Sequence, residues 1–296
     1  MPSNHYPLSF YKYTGCGNDF IIIDDRQGRI PATLKSRISE LCNRHKGIGA
    51  DGVILLQDGG PQAEAALIIY NADSSEAALC GNGLRCVIRC LYEDLNIHKD
   101  TYTVTTTSGS YSAKILGDEV EVSLGNSTPI QGPFRLEELP QFPAFSLVVG
   151  VPHVVIFCDD IEEVLVRKIG RSIRHNTHLH PEGSNVNFIQ VLDSATIAIR
   201  TYERGVEDET LACGTGAAAA AIAAASYRRL ITPIEVNTRG GSSLRYHFKL
   251  DNNEAKNIVM RGEAQRCFQG LYRLPLDAVY VRETETLREA ALYALS

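Results

Sequence analysis

The stretch ALCGNGLRC, residues 78–86, sets a cysteine directly before Gly-Asn-Gly and a run with helical spacing of its apolar residues. LACGTGAAA, residues 211–219, repeats the device around Cys213. The separation is 133 residues (Cys80 to Cys213), and an unrelated motif keeps it: GNDFIIID from Gly17 answers GVPHVVIFCD from Gly150, each a glycine-led turn into an apolar strand. The order of parts repeats as well. Each half continues with a helical stretch, a glycine turn and strand (GADGVILL; GSNVNFIQV), another strand (ALIIYNAD; ATIAIRTYERG), an acidic turn and then the cysteine. One offset shared by unlike motifs marks an internal repeat.

The expected fold is therefore α+β: two pseudo-symmetric domains, each a mostly antiparallel sheet wrapped around a central helix, with the active site in the cleft between them. The expected division is residues 1–126 (carrying Cys80), residues 127–264 (carrying Cys213) and a tail, 265–296, returning to the first domain. The boundary lies in the proline- and turn-rich stretch 126–143. Helices are predicted near 33–45, 83–95, 161–174, 214–229 and 284–295. TYTVTTTSGSYSAKIL and DEVEVSL read as hairpin strands with Gly109 and Gly117 at turns. The alanine-rich helix after Cys213 has almost no polar face and should be central. The helix after Cys80, with Arg85, Arg89 and Glu93 off its apolar face, should be partly exposed.

Composition narrows the function classes. A chain of 296 residues with a net charge of -6 lacks the basic footprint of a nucleic-acid or anionic-membrane binder. A small ligand is expected. The first nine residues do not resemble a secretion signal, and the run 217–225 falls short of the roughly 20 apolar residues of a membrane span, so a cytoplasmic location is expected. The eight cysteines contain no C-x-x-C pair, so reduced thiols and no metal are expected. A homodimer is compatible with the sequence.

A thiol at a helix start lies near unpaired N–H groups and the positive dipole end, which favour thiolate. The Gly-x-Gly that follows clears space for a carboxylate to reach the same groups. Two such motifs face to face suit an amino acid whose α-carbon lies between two sulfurs, one removing the α-proton and the other delivering a proton to the opposite face. The reverse reaction exchanges the roles, so identical residues on both sides are a chemical requirement. Cys80 and Cys213 are the expected acid–base pair. Cys16, Cys42, Cys86, Cys90, Cys158 and Cys267 are read as structural thiols. No lysine in a Schiff-base setting or phosphate loop stands out, so no cofactor is expected.

At this point the chain, from about Phe10 to Gly270, resembles the diaminopimelate epimerases, cofactor-independent enzymes of lysine and peptidoglycan precursor biosynthesis. Seven ordered motifs carry the resemblance: GCGNDFIIID, NRHKGIGADGVILL, YNADSSEAALCGNGLRC, GVPHVVIF, GSNVNFIQ, RTYERGVEDETLACGTGAAAA and TRGGSSLRY. It implies epimerisation of LL- to meso-diaminopimelate. Gly81 and Asn82, with Gly214 and Thr215, then look like donors to the α-carboxylate. Asn18, Asn71, Asn185, Glu203 and Arg204 look like further substrate ligands, and His153 is expected beside the cysteines. Taken alone, Asn18 and Asn71 read as turn residues, Glu203 and Arg204 as a solvated pair, and His153 as a core histidine. Two positions depart from the family: Val151 replaces the usual Asn of G-N-P-H, which points to broader selectivity, and Ser74 replaces a frequent Gly, with little expected consequence. Competing readings are a racemase of another acidic amino acid such as glutamate, a proline racemase-like or phenazine-pathway isomerase, and a non-catalytic amino-acid-binding protein.

Overall fold

The computed structural model describes residues 5–275. Its strands run β1 (His5–Gly15), β2 (Asn18–Asp24), β3 (Gly52–Gln57), β4 (Ala65–Asn71), β5 (Glu76–Ala77), β6 (Tyr102–Thr106), β7 (Gly109–Leu116) and β8 (Glu119–Gly125). The second set is β9 (Gln131–Leu136), β10 (Leu139–Val149), β11 (Val151–Phe157), β12 (Asn185–Val191), β13 (Thr196–Glu203), β14 (Asp208–Thr210), β15 (Ile234–Asn237), β16 (Ser243–Asp251), β17 (Glu254–Glu263) and β18 (Gln265–Pro275). Four α-helices complete the described residues: α1 (Ile38–Cys42), α2 (Gly81–Glu93), α3 (Val166–Arg174) and α4 (Gly214–Arg228).

Pairing reproduces the sequence repeat. One half runs β18-β1-β2-β3-β4-β6-β7-β8, with β2/β3 and β4/β6 parallel and the rest antiparallel. The other runs β9-β10-β11-β12-β13-β15-β16-β17, parallel at the matching places, β11/β12 and β13/β15. The offset survives at the level of register: Phe20 faces Gly52 in β2/β3, and His153 faces Asn185 in β11/β12. The halves meet where β8 pairs antiparallel with β17, Val122 opposite Met260. The α+β architecture of two similar sheet-and-helix units follows the expectation.

α4 is buried from Gly214 through Ala225 because alanine lets strands approach it from every side. Its first turn meets that of α2 near the β8/β17 ladder. A methyl built on Gly81 would lie 3.0 Å from Met260 Cε and 3.9 Å from the Gly214 Cα, and one built on Gly214 would lie 3.0 Å from Met260 Sδ. A side chain at either position would have to displace the end of Met260, so glycine leaves the two helix starts packed closely without strain.

Four expectations are corrected. α2 is not partly exposed: it is buried from Gly81 through Leu91, Arg85 completely, and only its last residues reach solvent. Periodicity marked the arginines as surface, but the guanidinium of Arg85 is satisfied inside, and Arg89 donates to the Gly117 carbonyl at 2.9 Å. The stretch 161–165 is not helical, because Arg200 takes the carbonyls of Ile161 and Val164 at 2.7 and 3.3 Å. The region 33–45 forms a 3-10 turn, Ala32–Arg37, followed by the five-residue α1, and Asn43 then caps the N–H groups of His45 and Lys46 with its side chain. The helix expected at 284–295 lies outside the described residues. Ser74 has φ of 72°, a left-handed conformation that costs a non-glycine residue on the order of 1 kcal/mol, so the departure from Gly has a price. Among the described residues no helix is long and apolar enough to cross a membrane.

Candidate active site

Cys80 and Cys213 are the N-caps of α2 and α4, both with extended backbone (φ −139°, ψ 107° and φ −121°, ψ 108°). The Gly83 N–H donates to Cys80 Sγ at 3.4 Å, and Cys213 Sγ lies 3.7 Å from Thr215 Oγ1. Gly81 and Gly214 are opposed, and the two thiols are close enough for Cys80 to add to the upward push on Cys213. Each thiol titrates well above its ordinary range. Burial pushes Cys80 up to about 11, against the pull of the Gly83 and Asn82 N–H groups and of Arg85. Burial also pushes Cys213 up, with the Glu203 carboxylate adding to it, against Gly216 and Thr215. The helix starts act in the expected direction, but desolvation outweighs them, so both groups rest as thiols at neutral pH.

Glu203 ends β13, and its negative charge is felt at both sulfurs. Its own carboxyl is raised by burial. Pairing places Asn71 opposite Gly52 in one half and takes Asn185 to the end of β13 in the other, which makes Asn71 the counterpart of Glu203. The Asn71 amide is held in its turn, donating to Ser75 Oγ at 3.0 Å. The Asn185 Oδ1 accepts the Arg204 backbone N–H at 2.7 Å, and the Arg204 guanidinium reaches the Gly183 carbonyl at 3.4 Å.

Asn18 belongs to a connected network. The Asn82 amide donates to Asn18 Oδ1 at 2.7 Å, and Asn18 donates onward to Asp51 at 3.1 Å. Asp51 and Asp19 are bridged by Arg44, and Lys12 is paired with Asp19. The counterpart of Asn18 under the 133-residue offset is Val151, which contributes no polar atom at the start of β11.

His153 is fully buried, and desolvation pushes it down to about 3, so its imidazole is neutral. Its Nδ1 lies 3.3 Å from Asn187 Nδ2, and its Nε2 has no hydrogen-bond partner among the described residues. Asn187 also donates to the Val154 carbonyl at 3.1 Å and accepts from Thr201 at 3.0 Å. It links His153 to the Cys213 turn, since a methyl on Gly216 would lie 2.4 Å from Asn187 Oδ1 and 3.2 Å from Cys213 Sγ. Sequence reasoning missed Asn187, although its spacing of two from Asn185 in NVNFIQ puts both on one face of β12. It also missed Tyr246, whose hydroxyl donates to the Gly214 carbonyl at 2.7 Å, and for that residue the sequence held no signal.

The two helix starts differ in how tightly they are packed, which sets up a comparison. Gly216→Ala is expected to destabilise by about 1–3 kcal/mol, because Asn187 is pinned by three partners and cannot yield. Gly83→Ala should cost less, since the atom its methyl meets at 2.9 Å is the flexible Cδ1 end of Ile54. Urea midpoints of the two variants provide the check, and equal midpoints would mean that Asn187 is not fixed.

Among the described residues no group of three or more His, Cys, Asp or Glu side chains forms a metal-binding cluster. The sequence profile of the diaminopimelate epimerases matches residues 10–130 and 145–267. The diaminopimelate epimerase of Aquifex aeolicus is 38% identical over 277 residues, covering 89% of this chain and 97% of the relative. That of Flavobacterium psychrophilum is 37% identical over 264 residues, covering 88% and 99%. Solved structures share the fold at much lower identity. A phenazine biosynthesis protein from Bacillus anthracis superposes with a TM-score of 0.69 at 13% identity, covering 91% of this chain and 100% of the other. A hydroxyproline epimerase from Agrobacterium vitis gives 0.66 at 17%, covering 92% and 94%.

Proposed function

Because the chain belongs to the diaminopimelate epimerase family and is an isomerase, we propose that it inverts the α-carbon of LL-diaminopimelate to give the meso isomer, by proton transfer between Cys80 and Cys213. The observation that supports this reading most directly is the opposition of the two helix starts across Met260, each capped by a cysteine.

The α-carboxylate of the substrate fits the first-turn N–H groups at Gly81, Asn82, Gly214 and Thr215, where two dipole ends add. Its α-ammonium belongs beside Glu203, the carboxylate that, among the described residues, acts on both sulfurs. That contact has a catalytic consequence. An ammonium offsets the Glu203 charge, so binding relieves a repulsion that helps burial keep both thiols protonated and makes a thiolate more accessible when the α-proton is in place. One thiolate then accepts the α-proton, the electron pair moves into the carboxylate, and the opposite thiol protonates the other face. The C–H bond broken and the C–H bond formed balance, and the sulfurs exchange roles. Asn18, Asn71, Asn185 and Arg204 are assigned to the remaining polar groups of the diamino diacid, the arginine to the distal carboxylate. His153 supports the Cys213 turn through Asn187. In this reading the halves 1–126 and 127–264 close on the substrate, water is excluded, and no pyridoxal phosphate is needed.

Val151 favours broader selectivity as a second reading. A site without the polar group opposite Asn18 leaves less buried polarity unpaired when a shorter acidic amino acid binds. Proton NMR of LL-diaminopimelate with reduced protein in D2O, without added cofactor, tests both. Loss of the α-proton signal with appearance of the meso isomer is the expected result. Exchange of glutamate under the same conditions would support breadth, and inert glutamate would reject it. No exchange of diaminopimelate in folded, reduced protein would leave an amino-acid-binding protein and overturn the catalytic assignment.

A further inference from the structure

Arg85 is fully buried, and among the described residues no carboxylate lies within ion-pair distance of it. Its guanidinium donates to Asn82 Oδ1 at 2.8 Å, to Cys16 Sγ at 3.1 Å, to Met260 Sδ at 3.3 Å and to the Glu263 backbone carbonyl at 3.3 Å. All four are uncharged acceptors. A buried cation without an anion is costly, and here it sits one turn inside α2, at the end where the helix dipole is already positive. Everything about the placement raises the positive potential at the mouth of the Cys80 turn.

The repeat sharpens the point. Cys80 corresponds to Cys213, Gly81 to Gly214, Asn82 to Thr215 and Gly83 to Gly216, but the counterpart of Arg85 is Ala218, buried in the wall of α4. The two halves are alike at the sulfurs and unlike directly behind them. Arg85 also fixes the orientation of the first-turn amide. Because it donates to Asn82 Oδ1, the Asn82 Nδ2 must donate away, to Asn18 Oδ1, which in turn aims the Asn18 amide at Asp51.

We propose that Arg85 is a positioning residue that supplies an uncompensated charge behind one helix start, so that the two thiols are inequivalent and Cys80 is the one that ionises first in the substrate-free protein. The inference rests on the reading of Cys80 and Cys213 as the acid–base pair. The groups that act on Cys80 are Arg85 and the Asn82 and Gly83 N–H groups on its own helix and Glu203 from β13; those that act on Cys213 are the Gly216 N–H and Thr215 hydroxyl of its own helix, Glu203 and Cys80, with no buried arginine among them.

The test uses iodoacetamide on reduced whole protein between pH 7 and 8.5, where the fold is retained, with the labelling rate at each cysteine read by peptide mass spectrometry. In the unmodified sequence Cys80 is expected to be labelled before Cys213, with exposed Cys267 as the reagent control. In Arg85→Met the Cys80 rate should fall by roughly tenfold, the low end of what a neighbouring opposite charge does to the thiolate fraction, with Cys213 unchanged, and Arg85→Lys should keep the Cys80 rate near its original value. Labelling of Cys213 ahead of Cys80 overturns the proposal without any variant, so a misfolded Arg85→Met does not shelter it. A folded Arg85→Met with an unchanged Cys80 rate, or with a change confined to Cys16, also overturns it. Labelling involves no amino acid, so its outcome is separate from the D2O exchange result: inert diaminopimelate with the expected Cys80 labelling and its loss in Arg85→Met would reject the activity and keep the asymmetry.

Discussion

Cys80→Ala and Cys213→Ala are each expected to lower epimerisation of LL-diaminopimelate by about a thousandfold, the scale of a lost general acid or base. Circular dichroism and urea unfolding should show the fold retained, because each change removes one sulfur at a helix start and leaves the opposed glycines in place. The stronger content of the prediction lies in what each variant still does. A given stereoisomer presents its α-proton to one sulfur. If the missing sulfur is the base for that isomer, no carbanion forms and no deuterium enters. If the missing sulfur is the acid, the remaining thiolate can still take the proton, exchange it with D2O and return deuterium to the same face.

The two variants assayed against the LL and meso isomers therefore give a crossed pattern. One variant should exchange the LL α-proton with retention, while the other exchanges the corresponding proton of the meso isomer. The pattern assigns each cysteine to a face. Substantial inversion in either single variant would remove the two-base mechanism, and loss of all exchange in both would mean that neither thiol acts alone as a base.

How much of this was legible in the sequence follows from what kind of interaction fixes each feature. The repeat was legible because register is local: GNDFIIID and GVPHVVIF carry their turn glycines and strands at a constant offset, and the pairings Phe20 with Gly52 and His153 with Asn185 follow from it. The cysteines were legible because an N-cap is read from a few adjacent residues. Features set by distant packing were not. Helical periodicity placed Arg85 on a surface that does not exist, since strands of its own half enclose α2 and β17 of the other half closes over Arg85. The thiols were expected to be acidic from the helix dipole, a local argument, whereas their titration is governed by burial, a property of the whole assembly. Asn187 and Tyr246 act on the α4 turn across gaps of 29 and 32 residues to Gly216 and Gly214, and no spacing rule reaches that far.

That same burial predicts a steep loss of stability at alkaline pH. Cys42 and Cys80 are pushed up to about 11 and Cys158 to about 12, and Cys16, Cys86, Cys90 and Cys213 are raised as well, all with burial as the leading cause. Unfolded, each thiol returns to its ordinary value near 9.0. Above that pH the unfolded chain has released protons that the folded protein still holds, so the folded state binds more protons and stability must fall as pH rises. The contribution of each thiol is complete below about pH 9 and is lost progressively until pH passes its folded value. One unit above the unfolded value the loss is on the order of 1 kcal/mol for each fully buried thiol, less for half-buried Cys80, and several thiols together approach the whole stability of an ordinary domain. Urea midpoints measured with a phosphine reductant at pH 7, 8.5 and 10 should be nearly level across the first interval and drop sharply across the second. Level midpoints to pH 10 would mean that these sulfurs are hydrated in the folded protein, and the picture of two desolvated thiols waiting for a substrate ammonium would fall with it.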